Sequence, residues 1–462
     1  MPNPKASAAS PRRASTFHLV FLTYSVICSG AYGLEEMIPS SGPGLALLMM
    51  VVLPLVWSVP ICLACAELAA HYPVEGGYYR WARMAFGDFA GYQTGWLVGL
   101  ANLATNAAFA VLFANYLAYF IPGLGDGERW LAALALVWGA TLLNVLGIRL
   151  VGAASVVLTA VIFLPFLFMA IGGLLQWRHN PVVPFMPPGM GLPAALGQGL
   201  MIALWLYSGY EKLTPNAGEV ENPSRAFPIA LAFSLPMVVG SYLVPTVVGL
   251  AARDNWSGWG EAHFAVLAEE IGGRWLGVLM TFGALVSNAC ILMVTTLGQS
   301  RLPMVMAEDG LFPRAFGRVG RRFGTPIVSL VAGGIALTFL TRIRFVDLTG
   351  LFSLVQVLAY VLIFASLLRL RARPAATAGA TPPPGGAGGG GAAPFTIPFG
   401  RAGLVAMMLP GFAIALWVVA QRLWNGGRFD GRQALVDLAV FASGPVTYLA
   451  FRRRPGAPPA GG

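Results

Sequence analysis

Apolar runs of roughly twenty or more residues recur along almost the whole chain, and no other feature limits its fold as strongly. A helix of about twenty residues rises about 30 Å, the thickness of a bilayer's hydrocarbon core. Lipid offers no partner to backbone N–H and C=O groups, so a spanning run must satisfy them internally, as a helix or in a closed barrel. The runs are continuous and not alternating, which excludes the barrel. Charged residues make up 10% of the 462, against 57% hydrophobic, too few to coat a soluble protein of this length. The chain reads as an all-α polytopic membrane protein. Twelve spans are predicted, over roughly 18–41, 43–70, 88–120, 129–147, 150–176, 193–217, 226–251, 262–300, 325–341, 346–370, 401–420 and 434–451.

The formal net charge of +10 does not imply nucleic acid. Membrane proteins keep arginine and lysine in their cytoplasmic loops. With the N-terminus inside, nineteen cationic side chains fall on the cytoplasmic side and nine on the other. An even number of spans then leaves both termini cytoplasmic, with residues 1–17 as one tail and 452–462 as the other. The first span has no cleavage site behind it and is expected to be an uncleaved anchor in the plasma (cell inner) membrane. Residues 372–400, rich in Pro, Gly and Ala, read as a linker that cannot pack a core. Cys62 and Cys65 form a CxxC, but no second Cys or His pair accompanies them, and they read as small buried hydrophobes. No metal or cofactor is implied.

Two spans carry an interruption. Residues 28–36, CSGAYGLEE, put Gly30 close to mid-membrane and follow it with Glu35 and Glu36. Residues 204–211, LWLYSGYE, put Ser208, Gly209 and Glu211 at the matching place in the sixth span. Glycine lets a helical turn open. The peptide groups that open expose are tolerated in a membrane only where they line a protein-enclosed cavity. Membrane carboxylates usually mark an ion or substrate path. Interruptions at corresponding positions of two halves point to an inverted-repeat transporter, with spans over 18–176 forming one repeat and those over 193–371 the other.

The motifs strengthen this reading. AELAAHYPVEGGYYRWARMAFGDFAGYQTGW (66–96), AGEVENPSRAFPIA (217–230), SRLPMVMAEDGLFPRAF (300–316) and the GTP at 324–326 occur in order. Together with the two breaks they resemble the amino acid–polyamine–organocation superfamily, over roughly residues 18–371, and within it the polyamine and L-type branch. The resemblance implies a 5+5 core with broken helices 1 and 6, and helices 11 and 12 (401–451) outside it. It implies a substrate-binding break at Ser29, Gly30, Ala31 and Gly33, a second at Tyr207, Ser208 and Gly209, an aromatic closing over substrate at Tyr210, and an acid after it at Glu211. The chain departs from the pattern in three places. The first break is SGAYG and not a tight GSG. No cation lies between Gly152 and Gln176, where some proton-coupled relatives carry a lysine. Thr105 and Asn106 are neutral where polyamine carriers often place an acid.

The expectation is a secondary active transporter, a permease working by alternating access on an amino acid or a polyamine. Protons or exchange drive it, and membrane lipid surrounds it. Glu35, Glu36 and Glu211 are the coupling candidates, with Glu35 and Glu211 also on the substrate path. Glu36 can equally face the outer vestibule. Asn102 and Asn106, one turn apart, either line the cavity or bond between helices; Asn106 is counted with the site. Ser287 and Asn288 could approach the first helix, as in sodium-coupled relatives of the fold, and Gln356 and Tyr360 are further lining candidates. Lys212 is expected to snorkel or to pair with a glutamate, and Glu67 to be structural. The alternatives are a sodium-coupled symporter and a transport-inactive sensor. No nucleophile–base set, metal cluster or phosphate loop supports an enzyme.

Overall fold

The computed structural model describes residues 20, 23, 24, 27, 28, 30–72, 74, 76–147, 151–209, 212, 223–320, 322–372, 395–398, 400–425 and 428–452. The predicted tail 1–17, nearly all of the linker and residues 453–462 lie outside these. So do three expected site residues, Ser29, Tyr210 and Glu211.

Among the described residues the regular structure is helical apart from a ribbon of two two-residue strands. After the first break come α1 (Met37–Ser41) and α2 (Pro43–His71), then a short α3 (Gly77–Phe86), α4 (Asp88–Leu117), α5 (Asp126–Val145) and α6 (Val151–Leu175). The second half contains α7 (Leu192–Leu206), α8 (Pro223–Ala252), α9 (His263–Gly272), α10 (Arg274–Glu308), α11 (Ile327–Leu340) and α12 (Phe345–Arg371). Next are α13 (Gly400–Leu423), the ribbon β1 (Trp424–Asn425) with β2 (Arg428–Phe429), and α14 (Gly431–Phe451). Seven of the described helices are long and apolar enough to cross a membrane, and three shorter apolar ones accompany them. The molecule is a multi-pass membrane protein.

The run expected as one span over 262–300 is divided. Gly273, at φ +87°, ends α9, and α10 then continues to Glu308. A ten-residue helix rises about 15 Å, so α9 cannot span. A left-handed residue costs an L side chain energy but costs glycine little, and that lets the chain turn here without unsatisfied amides. Gly273 N–H still donates to Glu269 O at 2.8 Å.

α4 is the central post, buried along most of its length and packed against α10 and α12. The outer surface is apolar: Phe233, Phe339, Leu416 and Leu435 are all exposed. Lipid is as apolar as these side chains, so exposure there carries no penalty. α14 has only 11% of its apolar window buried, and α13 28%. Both lie at the periphery, tied to each other by a buried bidentate pair in which Arg422 Nη2 reaches Asp437 at 2.7 Å.

Candidate functional site

Cys28 N–H bonds to Tyr24 O at 2.7 Å, and among the described residues that follow, regular helix resumes at Met37. Gly30 stands at φ +102° and Gly33 at φ +93° between the two halves. The opened turn is held by its own carboxylate. Glu35, fully buried, accepts the Gly33 N–H at 2.7 Å, and Tyr116 of α4 donates its hydroxyl to the other oxygen. A backbone amide freed in a membrane interior requires such a partner.

The second break follows α7. Tyr207 N–H bonds to Ala203 O at 3.1 Å, Gly209 takes φ +115°, and Lys212 N–H closes a tight turn on Gly209 O at 3.1 Å. α2 braces this break with a π-turn over Pro54–Ser58. Proline lacks the N–H that an α-ladder needs, and single π-turns occur frequently at functional sites. The turn aims Ser58 Oγ at Tyr207 O, 2.8 Å away, and Trp57 Nε1 at Ser208 Oγ, 3.0 Å away. Gly209 N–H donates to Tyr360 Oη of α12 at 3.3 Å.

One side chain joins the two breaks. The hydroxyl of Tyr242, on α8 and 2% exposed, lies 3.4 Å from Ile27 O and 3.3 Å from Leu206 O. These are carbonyls at the open ends of the two half-helices. A single hydroxyl proton serves one of them at a time, and Tyr242 bridges the two openings. Sequence reasoning missed it. Its only signal is a lone phenol inside an apolar run.

Between the breaks lies a cavity of about 30 Å³, lined among others by Gly30, Thr105, Ser208, Lys212, Ser287 and Asn288. That is room for about two water molecules, far below a typical ligand site. The described conformation is contracted around its polar lining. Gly283 lets α10 come this close: a Cβ there would lie 2.7 Å from Tyr32 Oη and 2.9 Å from Val161 O.

The expected site residues divide accordingly. Gly30, Ser208 and Gly209 are at the breaks, with Gly30 and Ser208 lining the cavity. Ala31 and Tyr207 are fully buried beside it, and Tyr207 Oη is committed to Met50 O at 2.8 Å. Gly33 and Glu35 organise the first break and do not line the cavity. Asn106 bonds between helices: its amide donates to Gln299 Oε1 at 2.8 Å, and it accepts from Thr295 Oγ1 at 2.7 Å. Its neighbour Thr105 faces the cavity instead, as do Ser287, Asn288 and Lys212.

Glu36 begins α1, with Arg344 and Asp347 as charged neighbours. Nearby, Glu261 of the loop before α9 accepts from Asn115 of α4. Burial, and after it the negative charges of Glu36 and then Glu35, push the Glu261 carboxyl from its ordinary 4.5 up to about 7; Arg129 and Asn115 oppose the shift. A carboxyl whose folded value is raised contributes stability that is fully present below 4.5 and is lost as pH climbs through 7. Glu261→Gln is therefore expected to be more stable than the unsubstituted protein at pH 8, by about 3 kcal/mol, and to flatten the dependence between these values. Thermal midpoints measured across pH in detergent check this; parallel curves for the two proteins would contradict it.

A multi-pass helical protein with two helices opened onto a buried polar cavity is built as a transporter and not as an enzyme. The amino acid permease family model matches residues 15–424, and the chain belongs to that family. It is similar to the polyamine transporter RMV1 of Arabidopsis thaliana, 31% identical over 447 residues, covering 96% of this chain and 86% of that protein. It is also similar to the polyamine transporter PUT1 of Oryza sativa subsp. japonica, 30% identical over 451 residues, covering 96% and 79%. An uncharacterized transporter of Legionella pneumophila is 27% identical over 389 residues, covering 79% and 80%.

Proposed function

We propose that this protein is a secondary active permease for a small amine-bearing metabolite, an amino acid or a polyamine. It works by alternating access in the plasma membrane, by proton coupling or exchange, with both termini cytoplasmic. The spans over 18–176 and 193–371 act as inverted repeats of a twelve-helix chain, with 401–451 outside the core. The end bearing Glu36 and Glu261 faces outward and the end bearing Glu67 faces the cytoplasm. The observation that carries the reading is the Tyr242 hydroxyl set between the open ends of two broken helices, beside a contracted polar cavity. Carbonyl ends of half-helices carry partial negative charge and suit an ammonium group. The cargo named for the plant relatives, polyamines, supports an amine-bearing substrate here. Glu35, Glu36 and, by the family resemblance, Glu211 are the proposed proton-linked acids, and Tyr210 the closing aromatic.

The test is uptake into proteoliposomes of radiolabelled putrescine, spermidine, arginine, leucine and alanine, with and without an inwardly acidic gradient. Saturable uptake of at least one, accelerated by the gradient or by internal substrate, is expected. Glu35→Gln loses its acceptor geometry toward Gly33 and Tyr116 and is expected to lower uptake about tenfold or more while remaining monodisperse. Uptake of none of the panel would overturn the permease reading. Undiminished uptake by Glu35→Gln would remove Glu35 from the mechanism.

A further inference from the structure

Glu35, the acid of the first break, is fully buried and cannot meet the outer solution directly. Its carboxylate sits among donors. Gly33 N–H donates at 2.7 Å, Tyr116 donates its hydroxyl, and the Phe264 amide at the start of α9 faces the same group. A proton that reaches Glu35 from outside has to arrive through a neighbouring group.

The fold supplies that neighbour in Glu261, which is only half-buried. Two links tie it to Glu35. On α4, Asn115 donates to Glu261, and the next residue, Tyr116, donates to Glu35. On the other side, Phe264 lies three residues beyond Glu261 and turns its amide toward Glu35. The charged groups around Glu261 come from every element that meets it. Glu36 of α1 and Glu35 add negative charge, while Arg129 of α5 and Arg344, before α12, oppose it. Arg344 is itself held by Asp347 at 2.9 Å. His263, on the same segment as Glu261, is kept neutral by burial, which lowers its value to about 4. Burial and two like charges together favour the neutral form of a carboxyl.

We propose that Glu261 is the outer proton-relay residue of this protein, taking a proton from the external solution and passing it to Glu35. The proposal rests on the reading of the chain as a proton-coupled permease with this end outward. Hydronium gives its proton to the Glu261 carboxylate and leaves as water. Neutral Glu261 then gives the proton to the Glu35 carboxylate and becomes charged again. Hydrogen bonds to a charged acceptor are about twice as strong as those to a neutral one. Once neutral, Glu35 holds the Gly33 amide and the Tyr116 hydroxyl less tightly. The cap on the first break is loosened, which links the proton to movement of the opened turn.

The test uses proteoliposomes of the full-length protein and the cargo taken up best from the panel above. Gradient-driven uptake is compared with counterflow, in which internal cargo replaces the gradient. External pH is varied from 6 to 8 with the interior always one unit higher, so that the driving force stays constant. Uptake is expected to fall about tenfold over this range, because the Glu261 carboxyl, pushed up to about 7, loses its proton across it. Glu261→Gln should lower the ratio of uptake to counterflow about tenfold and flatten the profile. Glu261→Asp should keep the slope. Asn115→Ala should move the midpoint to higher pH, because the bond that Asn115 donates favours the charged form. An unaltered profile in Glu261→Gln, or equal losses of uptake and counterflow, would overturn the relay and leave the permease reading standing. Counterflow with no response to the gradient in the unsubstituted protein would do the same. Neither uptake nor counterflow of any cargo would overturn both.

Discussion

Gly30→Leu abolishes transport while the protein still assembles in the membrane; this is the largest functional effect expected of any single substitution here. Gly30 sits at φ +102°, a conformation that an L side chain adopts only at a penalty of about 1–2 kcal/mol. A Cβ at this position would also lie 2.7 Å from Cε2 of Tyr32 and 3.1 Å from Cε2 of Phe166. Displacing those rings adds about 1–3 kcal/mol of overpacking. The chain escapes both penalties by rewinding the turn, which withdraws the open backbone from the cavity. A penalty of this sum, about 2–5 kcal/mol, on the open form corresponds to at least ~30-fold in its population. Uptake in proteoliposomes should fall by that factor, with monodisperse elution showing that the fold survives. Gly209→Ala gives an informative contrast. The nearest described atoms to its added Cβ belong to the flexible Lys212 side chain, in ordinary contact at 3.4 Å, so the strain comes chiefly from φ +115° and a smaller loss is expected. Transport by Gly30→Leu at the unsubstituted rate would mean that the opened first helix is not part of the mechanism.

Glu67→Ala has the largest expected effect on stability. Both carboxylate oxygens of Glu67 take the Arg371 guanidinium, and the two side chains are 3% and 14% exposed. The same pair organises a segment far away in sequence. Ile397 N–H donates to Glu67 at 2.8 Å, and Arg371 donates to Ile397 O at 3.1 Å and Gly400 O at 3.3 Å. α2, α12 and the entry to α13 therefore meet on one ion pair. Removing only the acid leaves a largely buried cation without a counter-charge, which costs roughly 3 kcal/mol or more. A thermal midpoint several degrees lower is expected. The double variant Glu67→Ala, Arg371→Leu should recover most of the loss, because replacing both charges removes the desolvation problem along with the attraction. A double variant no more stable than the single one would show that the pair is not the source of the effect.

These two predictions differ in how far they could be anticipated. The break at Gly30 is legible in CSGAYGLEE, because two glycines and two acids have few other uses in the middle of a membrane helix. The structural role of Glu67 is legible too, but its partner is not. Arg371 lies 304 residues away, and nothing in the local pattern of either residue names the other. The same limit explains Asn106 and Thr105. They are adjacent on α4, and a rotation of about 100° decides which one bonds to α10 and which one faces the cavity. On a soluble helix an apolar stripe would fix that rotation. α4 is apolar nearly all round, so its sequence carries no phase.

The sequence by itself determined that this chain crosses a membrane as helices, and that two of those helices open. Both follow from constraints local to a segment, the satisfaction of backbone groups in lipid and the conformational reach of glycine. Only the tertiary structure decided what surrounds the openings: Tyr242 between the two free ends, Glu35 turned inward to cap Gly33, Thr105 and Lys212 facing one small cavity. These depend on how each helix is rotated and which neighbour it meets, and in an interior where almost every side chain is apolar that is settled by packing between helices distant in the chain.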